Sequence, residues 1–257
     1  MNFKLIAKRL TYIFRKKIVS GNGIFFKFYL NKIWKASTMS EKILYDFFER
    51  NTNSFILQVG ANDGFVSDPI YKFVKKFNLK GLVIEPQKVP FEVLKQVYYK
   101  NQITVVNYAI DKENSVRKLY KYSFSDDRWA SGKSSFNHDH LLRGIQNGSI
   151  ERKAKKYNIK LPENKNEWIT FELVETMNFN SIFERHHIEK VNVLIIDTEG
   201  FDYEIIKMFD FSFNKPELII FENTHIPKDE YFQCKEMLDN LGYQIQEEKA
   251  DTVAILK

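Results

Sequence analysis

In this 257-residue chain, groups able to bind or react stand at the ends of short apolar runs. Gln58 and the loop Gly60-Ala-Asn-Asp-Gly64 go with the run from Phe55, and Glu85 follows Leu82-Val-Ile. Asn107 follows Ile103–Val106, and Asp197 and Glu199 follow Val191–Ile196. Glu222, Asn223 and His225 follow Leu218–Phe221. The two glycines allow backbone to approach a ligand and to take φ > 0 without steric cost. Asp68 is a good N-cap, Pro69 a good first helical residue, and Ile70, Phe73, Val74 and Phe77 form one apolar helix face. The loop therefore runs into a helix N-terminus, where a carboxylate or phosphate is favoured. An acidic residue about 20 positions past such glycines accepts hydrogen bonds from ribose hydroxyls, and Glu85 stands at that distance.

The elements that must position these groups are legible as patterns. The apolar runs are short, β-branched or aromatic, and bounded by turn formers, as buried parallel strands are. Helical spacing recurs at Lys42–Arg50, from Pro90 to Tyr98, at Asn180–His187, at Phe201–Phe209 and at about Asp229–Leu241. Strands alternating with helices predict a mainly parallel sheet with helices on both faces. Two closing strand patterns, Tyr243–Gln246 and Val253–Leu256, predict an antiparallel edge hairpin. Ligands of open α/β sheets bind at the carboxyl ends of the strands, so five strands would deliver polar groups to one rim. Residues 111–175 break the rhythm. Strands at Lys118–Tyr122 and Trp168–Val174 flank a polar excursion, the usual place for a lid or binding loop.

The apolar fraction of 44% and 23 phenylalanines are ample for a core. A lone cysteine, Cys234, rules out an intrachain disulfide, fits a reducing compartment, and falls in an apolar helical pattern expected to bury it. The net charge of +6 is uneven: residues 1–40 hold nine Lys/Arg and no Asp or Glu, leaving the other 217 residues at −3. Residues 1–50 read as a basic helical appendage with Phe3, Ile6, Leu10, Ile13 and Phe14 at helical spacing and Lys4, Lys8 and Arg15 on another face. No apolar run approaches the roughly 18 residues of a membrane span, and charges interrupt any signal-peptide core. Peripheral contact of residues 1–35 with an anionic membrane surface and packing of this helix on the domain or a partner are both open.

The set Gln58-Val-Gly-Ala-Asn-Asp-Gly64, Glu85-Pro86, Asn107-Tyr-Ala-Ile110 and Val193-Leu-Ile-Ile-Asp-Thr-Glu-Gly-Phe-Asp202 resembles the FkbM-type S-adenosylmethionine-dependent methyltransferases over roughly residues 54–257. The resemblance implies a Rossmann-like class I methyltransferase domain over 51–257, its seven-stranded sheet closing on an antiparallel last strand. It implies O-methylation of a sugar, glycan or similar small hydroxyl acceptor, in the cytoplasm. It places Gly60, Ala61, Asn62 and Gly64 at the methionine part of S-adenosylmethionine, Glu85 at the ribose, and Asn107 to Ala109 beside adenine. Gln58 departs from the acidic residue many such enzymes carry. Ser134 and Ser135, in the excursion that would act as acceptor lid, are assigned to the acceptor with Glu199, Glu222 and Asn223. Deprotonation of the acceptor would fall to Asp197 or His225. Alternatively, Asp197, Glu222 and Asn223 could converge on one Mg²⁺ that acidifies the hydroxyl.

Competing functions lack their residues. A nicotinamide-dependent oxidoreductase would want G-x-G-x-x-G, whereas the chain has Gly60-x-x-x-Gly64. A nucleic-acid enzyme or binder is disfavoured by the domain's charge of −3 and by Asp-Thr-Glu-Gly where Asn-Pro-Pro-Tyr would stand. A non-catalytic membrane-attached scaffold would not need Gly60, Gly64 and Glu85. His138 and His140 read as solvated loop residues rather than zinc ligands.

Overall fold

The computed structural model describes residues 3–21 and 23–257. The chain opens with α1 (Phe3–Gly21), α2 (Ile24–Phe28), a π-helical turn (Tyr29–Ile33) and α3 (Met39–Arg50). Then follow β1 (Phe55–Val59), α4 (Tyr71–Phe77), β2 (Lys80–Ile84), α5 (Lys88–Tyr98), β3 (Gln102–Val106) and β4 (Ala109–Ile110). The excursion holds β5 (Ser115–Tyr122), α6 (Arg128–Ser131), α7 (His138–Gln146), α8 (Ser149–Tyr157) and β6 (Ile169–Met177). The last part comprises α9 (Phe179–His186), β7 (Val193–Ile196), α10 (Asp202–Met208), β8 (Leu218–Glu222), α11 (Lys228–Asn240), β9 (Tyr243–Glu248) and β10 (Asp251–Leu256).

Among the described residues, seven strands form one sheet in the order β3-β2-β1-β7-β8-β10-β9. The first five run parallel, and β10 is antiparallel to both of its neighbours. The expected closing hairpin is present, with its second strand inserted next to β8. Strand order reverses between β1 and β7, and a crevice opens at their carboxyl ends.

The central strands β1, β2, β7 and β8 are mostly apolar because both of their faces are covered, whereas β3 and β9 at the edges are partly exposed. Leu57, Val59, Leu82, Leu194 and Ile196 pack with Phe179, Ile205 and Leu238 on one side. Ile56, Val83, Val193 and Ile195 pack with Leu44, Phe48, Phe73 and Leu94 on the other. Leu30, Leu44 and Phe48, from the basic N-terminal region, are thus core residues of that second layer. Thr38 caps α3 by accepting the Glu41 amide at 3.1 Å, so the helix begins ahead of the Lys42 expected from the spacing. Glu248 accepts the amides of Met39 and Ser40 at 2.8 and 2.9 Å, tying α3 to the hairpin. The side chains of Phe3, Lys4, Ile6, Lys8 and Arg9 lie outside the described residues. No helix among the described residues is long and apolar enough to cross a membrane.

Three expectations need correction. Asp68 does cap, accepting the amides of Ile70 and Tyr71 at 2.9 and 2.7 Å, but α4 starts at Tyr71 rather than Pro69. Helix α5 starts at Lys88, ahead of Pro90, because a first-turn proline has no intrahelical N–H bond to lose. The polar excursion is folded. Strands β4, β6 and β5 make a second sheet, and Tyr122, Leu141, Ile150 and Trp168 make a separate small core. Trp168 anchors that core and donates its indole N–H to the Pro162 carbonyl at 2.8 Å. Trp168→Ala is expected to remove about 3–5 kcal/mol of packing there. Amide exchange should then rise across residues 122–168 while β1 and β7 stay protected.

Candidate active site

The crevice between β1 and β7 depends on a backbone contact. Gly60 has φ +83°, and a Cβ on it would stand 1.9 Å from the Asp197 carbonyl oxygen. The amides of Gly60 and Ala61 donate to the Ile84 carbonyl at 3.0 and 3.1 Å, folding the turn towards β2. The Asn62 amide then meets Glu85 Oε2 at 2.7 Å. Glu85 is buried and also accepts the Gln87 amide at 2.8 Å and its side-chain N–H at 3.2 Å. Burial outweighs these bonds and pushes the Glu85 carboxyl up to about 7. Gly64, also at positive φ, closes the loop by donating to the Ala61 carbonyl at 3.0 Å. Gln58 is buried and donates to Asp68 at 2.8 Å, so an acidic group sits behind the loop after all.

Asp197 projects into the cleft from the end of β7. Glu199 and Gly200 take positive φ, and the buried Asp202 gathers the turn. It accepts the Thr198 hydroxyl at 3.1 Å and the Thr198 and Gly200 amides at 3.3 and 3.2 Å. Solvent reaches Asp197 through the cleft mouth while protein encloses its other sides. That enclosure, with the negative charges of Asp202 and Glu199, pushes its carboxyl up to about 7. Burial and then the charges of Asp197 and Glu199 push the Glu222 carboxyl up to about 9.

The excursion closes over this rim. Lys133 Nζ lies 2.6 Å from Glu199 Oε2, and His225 Nε2 lies 3.2 Å from the same oxygen. Lys133 and His225 are themselves 3.3 Å apart. Burial opposes ionisation of Glu199, but the bond from His225 and the Lys133 charge prevail and hold its carboxyl below the usual range. The Asn62 side chain donates to Ser131 Oγ at 3.3 Å and the Gln87 side chain to the Ser131 carbonyl at 3.0 Å. Ser134 donates to Gln87 at 2.8 Å and Ser135 to the Glu199 carbonyl at 3.4 Å. Arg128 enters the cleft from α6, and its buried Nε–H has no hydrogen-bond partner among the described residues. Asp63 lies 3.8 Å from that nitrogen.

The resulting cleft of about 650 Å³ brings together Gly60, Asn62, Glu85, Ala109, Asp197 and Glu199. Ser134 and Ser135 line it too, although both hydroxyls are spent on latching the excursion. Ala61, Gly64, Glu222 and His225 stand behind the lining. Asn107 supports the β2 tip, donating to the Glu85 and Pro86 carbonyls at 2.9 and 2.8 Å. Asn223 does not join the rim. Successive residues of an extended chain point to opposite sides, and its side chain donates to Thr252 at 3.0 Å. The expected oxygen trio of Asp197, Glu222 and Asn223 is therefore not formed; Glu199 is the third carboxylate near Asp197 and Glu222. His140 is not a solvated loop residue. In α7, positions two apart face different sides, so His138 is exposed while His140 is buried against Glu199 and His225. Burial, and next the charge of His225, lowers His140 to about 4. Gln87, Arg128, Ser131 and Lys133 were missed by sequence reasoning. Gln87 alone had a signal, two residues past Glu85.

Residues 58–249 match the sequence model of the Methyltransferase FkbM domain. No curated protein matches the chain. Solved structures with similar chain traces include a methyltransferase FkbM from Methylobacillus flagellatus KT, 13% identical, with TM-score 0.48 over 79% of this chain and 44% of that one. Another is an O-methyltransferase from Bacillus cereus in complex with SAH, 9% identical, with TM-score 0.41 over 86% of this chain and 82% of that one. A third is the fibrillarin pre-rRNA processing protein of Methanococcus jannaschii, 15% identical, with TM-score 0.38 over 80% of this chain and 67% of that one.

Two outcomes follow from the geometry. Gly60→Ala drives a methyl group into the Asp197 carbonyl at a φ that alanine resists, so the cleft should lose ligand binding, as calorimetry would read. Glu85, Asp197 and Glu222 hold their protons more tightly folded than unfolded. Their stabilisation is complete below the unfolded values of 3.8 for Asp and 4.5 for Glu, and is lost as pH rises through about 7 and 9. Thermal melts of the ligand-free protein should accordingly fall in midpoint from pH 5 to 9.

Proposed function

Because the chain belongs to the FkbM methyltransferase domain family, whose members are S-adenosylmethionine-dependent methyltransferases, we propose that it methylates a hydroxyl oxygen of a sugar, glycan or similar small acceptor. The observation that carries this reading is that Asp197, with its raised pKa, lines one cleft together with the Gly60 turn and Glu85. A general base works best with a pKa near the operating pH, and a carboxyl at about 7 meets that condition.

The cleft's chemistry fits the cofactor. S-adenosylmethionine carries a sulfonium, an ammonium and a carboxylate. Glu85 and Glu199 offer negative charge to the cations, and the orphaned Nε–H of Arg128 offers a donor to the carboxylate. Glu85 would take the ribose hydroxyls, the Gly60–Asn62 turn would border the methionine part, and Ala109 would lie against adenine. When bound, the cofactor supplies an electrophilic methyl group. The chain's own part is to orient the acceptor, exclude water with the latched excursion, and take the hydroxyl proton on Asp197. His225 stands behind Glu199 and fixes that carboxylate with Lys133. In this reading Asp197 removes the proton directly and His225 is a positioning residue. The lone cysteine, Cys234, is buried and free, in keeping with a reducing, cytoplasmic setting.

Calorimetric titration with S-adenosylmethionine, S-adenosylhomocysteine and NAD tests the reading. The first two should saturate and NAD should not; binding of NAD alone would overturn it. Glu85→Ala should weaken S-adenosylmethionine by about 1–3 kcal/mol. With a glycan acceptor found by screening with methyl-labelled cofactor, Asp197→Asn should lower kcat roughly 10²–10⁴-fold and leave cofactor affinity nearly unchanged.

A further inference from the structure

The face that α1 and α2 turn away from the domain is apolar and ringed by cations. On α1, Leu10, Ile13, Phe14 and Ile18 recur at helical spacing and are exposed. The opposite side of the helix grips the domain. Val19 is buried, Tyr12 packs on Phe65 with ring centroids 5.1 Å apart, and the Arg15 guanidinium lies 5.9 Å from the centre of the same ring. The arrangement inverts the usual one, in which a helix docks its apolar stripe. Next in the chain, Phe26 and Leu30 are buried, while Ile24 is 79% and Phe25 87% exposed and Phe28 and Ile33 are also exposed. Monomeric proteins seldom leave so many large apolar side chains together in water.

Charge identifies what covers the face. Lys17, Lys27, Lys32 and Lys35 are exposed around it, and residues 1–40 contain no Asp or Glu. A protein partner's apolar patch would not demand a surround of one sign. An anionic lipid surface does, since its acyl boundary takes the aromatic and aliphatic side chains while its headgroups take the lysines. We propose that α1, α2 and the turn to Ile33 form an interfacial platform that seats the protein on an anionic membrane. Because Tyr12 and Arg15 pack on Phe65, the residue after the glycine loop, the platform carries that loop close to the lipid surface. The proposal stands on this surface alone and is independent of the methyl-transfer reading.

Flotation of the full-length protein with vesicles tests it, using phosphatidylcholine alone and phosphatidylcholine containing phosphatidylglycerol. The protein should float with the anionic vesicles and much less with the neutral ones, and high salt should weaken the binding. Joint replacement Lys17→Gln, Lys27→Gln and Lys32→Gln should lower the partition coefficient roughly 100-fold. Ile24→Asp with Phe25→Asp should lower it at least about tenfold. All five positions are exposed, so the melting temperature should not move, which separates lost docking from lost folding. Failure of the unaltered protein to float with anionic vesicles would overturn the proposal. So would flotation unaffected by either set of substitutions, or a stable dimer in sedimentation that Phe25→Asp dissociates, since a second copy would then own the face.

Discussion

The site rests on the contact between two backbones. The turn leaving β1 passes so close to the turn leaving β7 that the position facing Asp197 has no room for a side chain. Parallel pairing of β1 with β7 brings the two turns together, and Gly60 at positive φ lets them pass. From that point the amides run to Ile84 and Glu85, so the tip of β2 is registered against the same turn. Three strand ends are thereby fixed relative to one another before any loop side chain contributes.

On that frame the protein crowds carboxylates. Glu85, Asp197, Glu199, Asp202 and Glu222 share one rim, and the rim treats them differently. Asp202 is spent on amide and hydroxyl bonds that shape a turn. Glu199 is kept ionised by Lys133 and His225. Among the described residues no ion pair reaches Asp197, and Glu222 has only His225, at 3.9 Å, and the carboxyls of both are driven upward. Like charges placed close together in a poorly solvated space cannot all ionise, so the rim holds both ionised and protonated acids at neutral pH. Arg128, from α6, brings a guanidinium to the same cleft.

How much of this was legible follows from how each residue is constrained. Four of the five parallel strands, β1, β2, β7 and β8, could be read because strands buried on both faces must be mostly apolar, and their terminal polar residues stand out against that background; β3, half exposed, was read from its β-branched run. The excursion could not, since its helices are short and α8 buries only Ile150 and Ala154; its core is made by aromatics scattered from Tyr122 to Trp168. Tertiary pairing across more than 40 residues leaves no local period. Asn223 misled because adjacency in sequence was read as adjacency in space, whereas strand alternation sends it to Thr252. His140 hid for a related reason: spacing two apart on a helix separates the side chains it suggests are paired.

Asn62 has a double attachment. Its backbone N–H holds Glu85, and its side chain holds Ser131 of the excursion. Gln87 does the same from the other side, bonding Glu85 through its amide and Ser131 and Ser134 through its side chain. Opening of the excursion therefore disturbs residues that also fix the acidic residue at the cleft floor. With each bond worth about 0.5–1.5 kcal/mol net, the unlatched form is a minority species. Movement of Ser131 is thereby transmitted to the residues that hold Glu85.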